Sequence, residues 1–179
     1  MTSATLTIHQ ALAEAKRITE KLGARHNEAG ELLCRPNITM DPHGEGGSEA
    51  KLQASLNSTN DLALRLVMLR VAVMQSNMES GLTVEGESRT VFAWLTWRRD
   101  VAPRLFAFWK ALQQREADSV KWERSMAGQP SEPNKPTPQL VWNLPLGTPS
   151  EQVERIGDLL SALDGALQTH NATATITVD

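Results

Sequence analysis

The densest apolar stretch of the chain, Asn60 to Met78, carries two hydrophobic stripes. On a helical wheel Leu62, Leu66, Leu69 and Val73 line one side, and Leu64, Val67, Val71 and Met74 line a second, roughly opposite side. A surface helix needs only one such stripe. Two imply the central helix of a bundle or a helix shared between subunits. Arg65 and Arg70 interrupt the stretch, which falls short of the roughly 18 uninterrupted apolar residues of a membrane span.

Helical periodicity predicts a first helix from about Thr7 to Leu33. Ile8, Leu12, Ala15, Ile18 and Leu22 form its apolar side, and Glu14, Lys16, Glu20 and Lys21 its polar side. Gly30 and the Arg35-Pro36 step close it, and residues 35–48, with Pro36, Asp41-Pro42-His43 and a glycine cluster, read as a flexible connection. A second helix spans about Glu49 to Met78. Ser80-Gly81 and Gly86 then turn the chain through a hairpin-like loop, and Ser88 is positioned to cap a third helix reaching about Asp118. Val91, Leu95, Ala102, Leu105, Trp109 and Leu112 keep a three-four spacing along it. Pro103 falls inside that pattern and predicts a kink or a restart, with Asp100 as the cap of the second half.

Six prolines mark residues 126–149 as a crossing segment, within which Gln139 to Asn143 suits a short strand. Thr148-Pro149-Ser150-Glu151 has the composition of a helix start, with Thr148 as cap, Pro149 in the first turn and Glu151 completing a capping box. Val153, Ile156, Leu160, Leu163 and Leu167 give that last helix one apolar side. Ala172 to Val178 alternates every second residue, as a terminal strand does, able to pair within the subunit or with a neighbour. The expected fold is therefore α-rich (α+β): a single helical domain over residues 1–179. Its second and third helices form a long antiparallel pair, the first and last flank it, and a small C-terminal sheet joins the crossing segment to the chain end.

A length of 179 residues is enough for a real core, and a formal charge of −3 gives no general attraction to nucleic acid or to an anionic membrane. Basic residues nevertheless outnumber acidic ones between Arg89 and Arg124, which leaves room for a local anion site. The single cysteine, Cys34, cannot form an internal disulfide, and Met1 to Gln10 lack an apolar leader; a reduced, cytoplasmic setting is expected. His9, His26, His43 and His170 have no metal-ligand spacing, and there is no P-loop, dinucleotide fingerprint or nucleophile elbow. Cys34 with His26 is the one thiol–imidazole combination, and nothing near it in sequence would orient either group. A non-catalytic protein without metal or cofactor is the expectation.

Arg98 falls in the stripe of Val91, Leu95, Ala102 and Leu105, where a guanidinium needs an acceptor. Arg99 and Arg89 could join it around an anionic ligand; equally, Asp61 or Asp100 could pair with it, or it could reach out to solvent. Asn60 shares a direction with Val67 and Met74, so it is expected to point inward, where a helix-seam asparagine fixes register or offers its amide to a ligand. Trp94 and Trp97 flank the arginines and suit either stacking on a ligand or ordinary packing.

The order of motifs adds a resemblance. An amphipathic first helix leads to Glu45-Gly46, then Leu56-Asn57-Ser58-Thr59-Asn60. A glycine turn with Arg89-Thr90-Val91 comes next, then Arg98-Arg99-Asp100 and finally Leu163-Asp164-Gly165-Ala166-Leu167-Gln168 with Asn171. This resembles the septicolysin-like proteins of bacteria and phages. The resemblance implies a helical subunit of a ring-like or hexameric assembly. The resulting expectation is a homo-oligomer that binds a small anionic ligand, a nucleotide in particular, at subunit contacts lined by Arg98, Arg99, Arg89, Asn60, Thr90 and Trp94. In a phage this would serve as an anti-defence sponge. The alternative is a virion component or scaffold with no small ligand.

Overall fold

The computed structural model describes residues 4–34, 40–43, 46–127 and 140–178. In chain order they form β1 (Ala4–Thr7), α1 (Ile8–Leu32), α2 (Gly47–Glu79), β2 (Gly81–Val84), β3 (Glu87–Thr90), α3 (Val91–Thr96), a π-turn (Trp97–Val101), α4 (Ala102–Ala127), α5 (Thr148–Thr173) and β4 (Thr175–Val178). The fold is α-rich, with a long helical pair and a small sheet that includes the C-terminal strand. The chain divides into two compact units, Met1–Ser80 with Gln168–Asp179, and Gly81–Leu167. No helix among the described residues is long and apolar enough to cross a membrane.

In the first unit the long pair is α1 against α2, and the sheet is β1 against β4. These strands run antiparallel, with Ala4 opposite Val178 and Thr7 opposite Thr175. The terminal strand therefore finds its partner within the subunit, at the chain's own beginning. It does not pair with the crossing segment: Leu140 to Asn143 are not in a strand, and residues 128–139 lie outside the described part. Alternation along β4 buries Ile176 and Val178 and exposes Thr175 and Thr177. Thr7 ends β1 and begins α1 at once. Gln10 N–H donates to Thr7 Oγ1 (3.2 Å), and Thr7 N–H donates to Gln10 Oε1 (2.9 Å), a reciprocal capping box. Ile8 N–H reaches back to the carbonyl of Ala174 (3.0 Å), which ties the start of α1 to the end of α5.

The core between these elements consists of Ile8, Ala11, Ala15 and Ile18 from α1, Leu69 from α2, and Ile176 and Val178. Leu62, Leu66 and Val73 pack around it, so the first stripe of α2 faces this core. On α1 the buried position is Ala11. Leu12, expected inside, is half exposed. Arg65 Nε donates to Glu14 Oε1 at 3.1 Å beside the helix contact.

The second unit opens with a two-residue hairpin. Glu85 and Gly86 both take positive φ (49° and 84°), the left-handed pair that matches the twist of two strands joined so tightly. The strands run to Thr90, which makes Thr90 the cap of α3: Ala93 N–H donates to its Oγ1 at 3.1 Å. Ser88, expected in that role, lies inside β3. Val84, Val91, Trp94, Leu163 and Leu167 form the second core.

Pro103 accounts for the π-turn after α3. Proline has no N–H and its ring crowds the carbonyl four residues back, so a regular turn cannot pass through it. The chain responds with one wide turn, in which Ala102 N–H donates to the carbonyl of Trp97 rather than Arg98. The helix continues without a restart, and Asp100 does not cap it. α4 then runs to Ala127, well beyond Asp118.

Leu69 is fully buried and Leu12 is not, which predicts different costs of truncation. Leu69→Ala should lower unfolding free energy by about 2–5 kcal/mol, and Leu12→Ala by about 1 kcal/mol or less, in urea titrations followed by circular dichroism. Equal losses would contradict the assignment of faces.

Candidate functional site

The hairpin and α3 bring Arg89, Thr90 and Trp94 together. Trp94 is fully buried and its indole N–H donates to the carbonyl of Leu82 at 2.9 Å. The Arg89 guanidinium sits 4.7 Å from the centre of the Trp94 ring and bonds the Glu87 carboxylate at 2.5 Å. Trp97 meets Trp94 edge to face at 5.8 Å. Arg89, Trp97 and the core thus occupy the indole surfaces that a stacked ligand would use. Thr90 is spent on its helix cap.

The π-turn decides the fate of Arg98 and Arg99. A regular helix would carry Arg98 onto the stripe of Leu95 and Ala102, but the extra residue in the turn rotates it out, and its side chain is 46% exposed. Its Nη2 is 3.1 Å from Oδ1 of Asp164 on α5. The acceptor that a guanidinium on this helix requires is therefore Asp164, which sequence spacing did not suggest, in place of Asp61 or Asp100. Arg99 grips Asp100 with two bonds, Nε to Oδ1 and Nη2 to Oδ2, both 2.9 Å. Those bonds hold the Asp100 carboxyl below its usual range against the opposing effect of desolvation, and the charges of Arg99 and Arg104 add to the shift. All three arginines thus have a carboxylate at bonding distance. An incoming anion would have to compete with it, although exposed pairs of this kind hold by only about 0–1 kcal/mol.

Asn60 belongs to the first unit and is exposed, not inward-pointing. The reason is the two-sided character of α2: the inner stripe of Leu62, Leu66, Leu69 and Val73 turns Asn60 away together with Leu64, Val67 and Met74.

That outer face is the largest uncovered feature of the helix. Leu64, Val67, Val71, Met74 and Met78 are between 42% and 65% exposed. Their spacing alternates four and three, and the same alternation continues backwards through Asn60, Asn57 and Gln53, all exposed. Gln53 Nε2 donates to Asn57 Oδ1 at 3.1 Å along this row. The result is an eight-position seam on the side of α2 opposite the core, polar at its beginning and apolar afterwards.

A separate cavity of about 760 Å³ opens in the second unit between α4 and the start of α5. Lys110, Lys121 and Arg124 line it from one side of α4, and Gly147, just before α5, and Ser150, in the first turn of α5, line it from the other. Glu116 accepts a hydrogen bond from Gly147 N–H at 2.5 Å, so a carboxylate of the chain itself occupies the positive end of α5. Gln113 Nε2 donates to Ser150 Oγ at 2.9 Å. The excess of basic residues was visible in the sequence. The wall they share with Gly147 was not, since the two sides lie more than twenty residues apart in the chain.

Among the described residues no group of three or more histidine, cysteine, aspartate or glutamate side chains could hold a metal ion. No protein-family model, curated protein or solved structure matches this chain.

If Trp94 is a packing residue, Trp94→Phe should destabilise the protein by about 1–3 kcal/mol, because it strands the carbonyl of Leu82. Denaturant unfolding reads this directly, and an unchanged midpoint would show that the indole hydrogen bond carries no weight.

Proposed function

We propose that this protein is a non-catalytic homo-oligomer whose work is done by assembly, with copies meeting on the outer face of α2. The observation that carries this reading is the row of five half-exposed apolar side chains opposite the core. They amount to on the order of 400–500 Å² of apolar surface, the size of the largest patch on a typical soluble monomer, which is often a functional one. The carboxylate partners of Arg89, Arg98 and Arg99 favour a structural or scaffolding role over an arginine-lined nucleotide pocket.

Light scattering coupled to size exclusion tests this. The wild type should have a mass that is a multiple of 19.7 kDa. Val67→Glu with Val71→Glu should reduce it to one copy with helicity unchanged, because paired charges in a dry seam cannot be solvated. A wild type of one-copy mass at micromolar concentration would contradict the proposal.

A second reading keeps the small anionic ligand and moves it to the cavity between α4 and α5, favoured by the three cations that line it. A nucleotide is the matching class, and a sponge would need only binding. Isothermal calorimetry with a panel of nucleotides should then give heat that falls at least tenfold in affinity in the double variant Lys121→Ala, Arg124→Ala. Absence of heat across the panel would remove this reading and leave the assembly role untouched.

A further inference from the structure

We infer that α2 pairs with α2 of a second copy in parallel and in register, so that Asn60 of one subunit faces Asn60 of the partner subunit. The inference rests on the assembly reading above and specifies its geometry. The seam from Gln53 to Met78 keeps an unbroken four-three alternation, the repeat that winds two helices around one another. Its opposite side is engaged by the α1 core, and the seam residues themselves are exposed.

Polarity along the seam is segregated, and that sets the direction. Gln53, Asn57 and Asn60 come first, and Leu64, Val67, Val71, Met74 and Met78 come after them. Parallel pairing in register sets each position against its own copy. Amide then meets amide, with a donor and an acceptor on each side, and aliphatic meets aliphatic. The antiparallel alternative that covers the apolar half puts Leu64 on the partner's Met74 and Val67 on the partner's Val71. It sets Asn60 against the partner's Met78, where its amide has no partner, and it brings Arg70 beside the partner's Arg70.

The flanking positions agree. In the parallel arrangement Arg70 lies next to Gln75 of the partner subunit, whose amide oxygen can accept from a guanidinium. Met68, itself exposed, covers the small Ala63 of the partner subunit. Neither contact places like charges together.

Crosslinking through engineered cysteines tests the orientation in the full chain, with exposed Cys34 replaced by serine. Asn60→Cys and Met74→Cys, prepared separately, should each crosslink to itself with a short bis-maleimide, at least tenfold faster than Glu154→Cys on α5. A mixture of Asn60→Cys and Met78→Cys should give no more mixed product than chance. All three seam substitutions alter exposed side chains, and circular dichroism confirms folding. Mixed product from Asn60→Cys with Met78→Cys, without self-linking at Asn60→Cys or Met74→Cys, would overturn the parallel register and leave the assembly reading standing. A multimer crosslinked at neither set would overturn the seam as the interface. A one-copy mass for Cys34→Ser would end the assembly reading itself.

Discussion

The core of the first unit lies on one side of α2 only, and α2 has apolar stripes on both. Leu62, Leu66, Leu69 and Val73 meet α1 and the terminal sheet. Everything on the other side, from Leu64 to Met78, must then find cover elsewhere or stay wet. The inner stripe organises the first unit: it holds α1, whose start is tied to the residue just before β4 by the Ile8–Ala174 bond and capped by Thr7 at the end of β1. The outer stripe is a consequence of that choice. Water contact along five apolar side chains is unfavourable by roughly 25 cal/mol per Å², a standing incentive for association.

The second unit shows how one residue redirects a site. Pro103 enforces the wide turn at Trp97–Val101, and the wide turn moves Arg98 off the apolar stripe and into reach of Asp164. Had the helix been regular, Arg98 would have needed a partner in a dry seam. As built, it makes a half-exposed ion pair with little energetic weight. Arg99 closes on its neighbour Asp100 in the same turn. The basic cluster that looked like an anion site in the sequence is thus largely neutralised by local geometry, and the cationic wall of the cavity lies further along, around Lys121 and Arg124.

Periodic features of the fold were legible. The double stripe of α2, the hairpin around Gly86, the last helix and the alternation of Ile176 and Val178 all arise from local spacing, and each stands in the structure. Long-range pairing was not. β1, Ala4-Thr5-Leu6-Thr7, alternates but is only four residues long, too short to mark a strand by itself, and is defined by its pairing with β4. Ala11 rather than Leu12 is buried because β4 and α2 approach α1 on that line. Ser88 and Thr90 are both able caps, and only the length of the hairpin selects Thr90. Asp164 lies far from Arg98 in the chain, so no spacing rule could join them. Asn60 was correctly aligned with Val67 and Met74, but its direction was inverted, because wheel geometry gives relative positions and not which side meets the core.

Oxidation footprinting of the methionines tests most directly whether a second copy covers α2. Met74 and Met78 lie on the seam, and Met40, 96% exposed, is an internal reference. The account predicts that hydroxyl-radical oxidation of Met74 and Met78 is slow relative to Met40 in concentrated protein and rises toward the rate at Met40 on dilution. Fast oxidation of both at every concentration would mean that the seam stays open to water, and would contradict it.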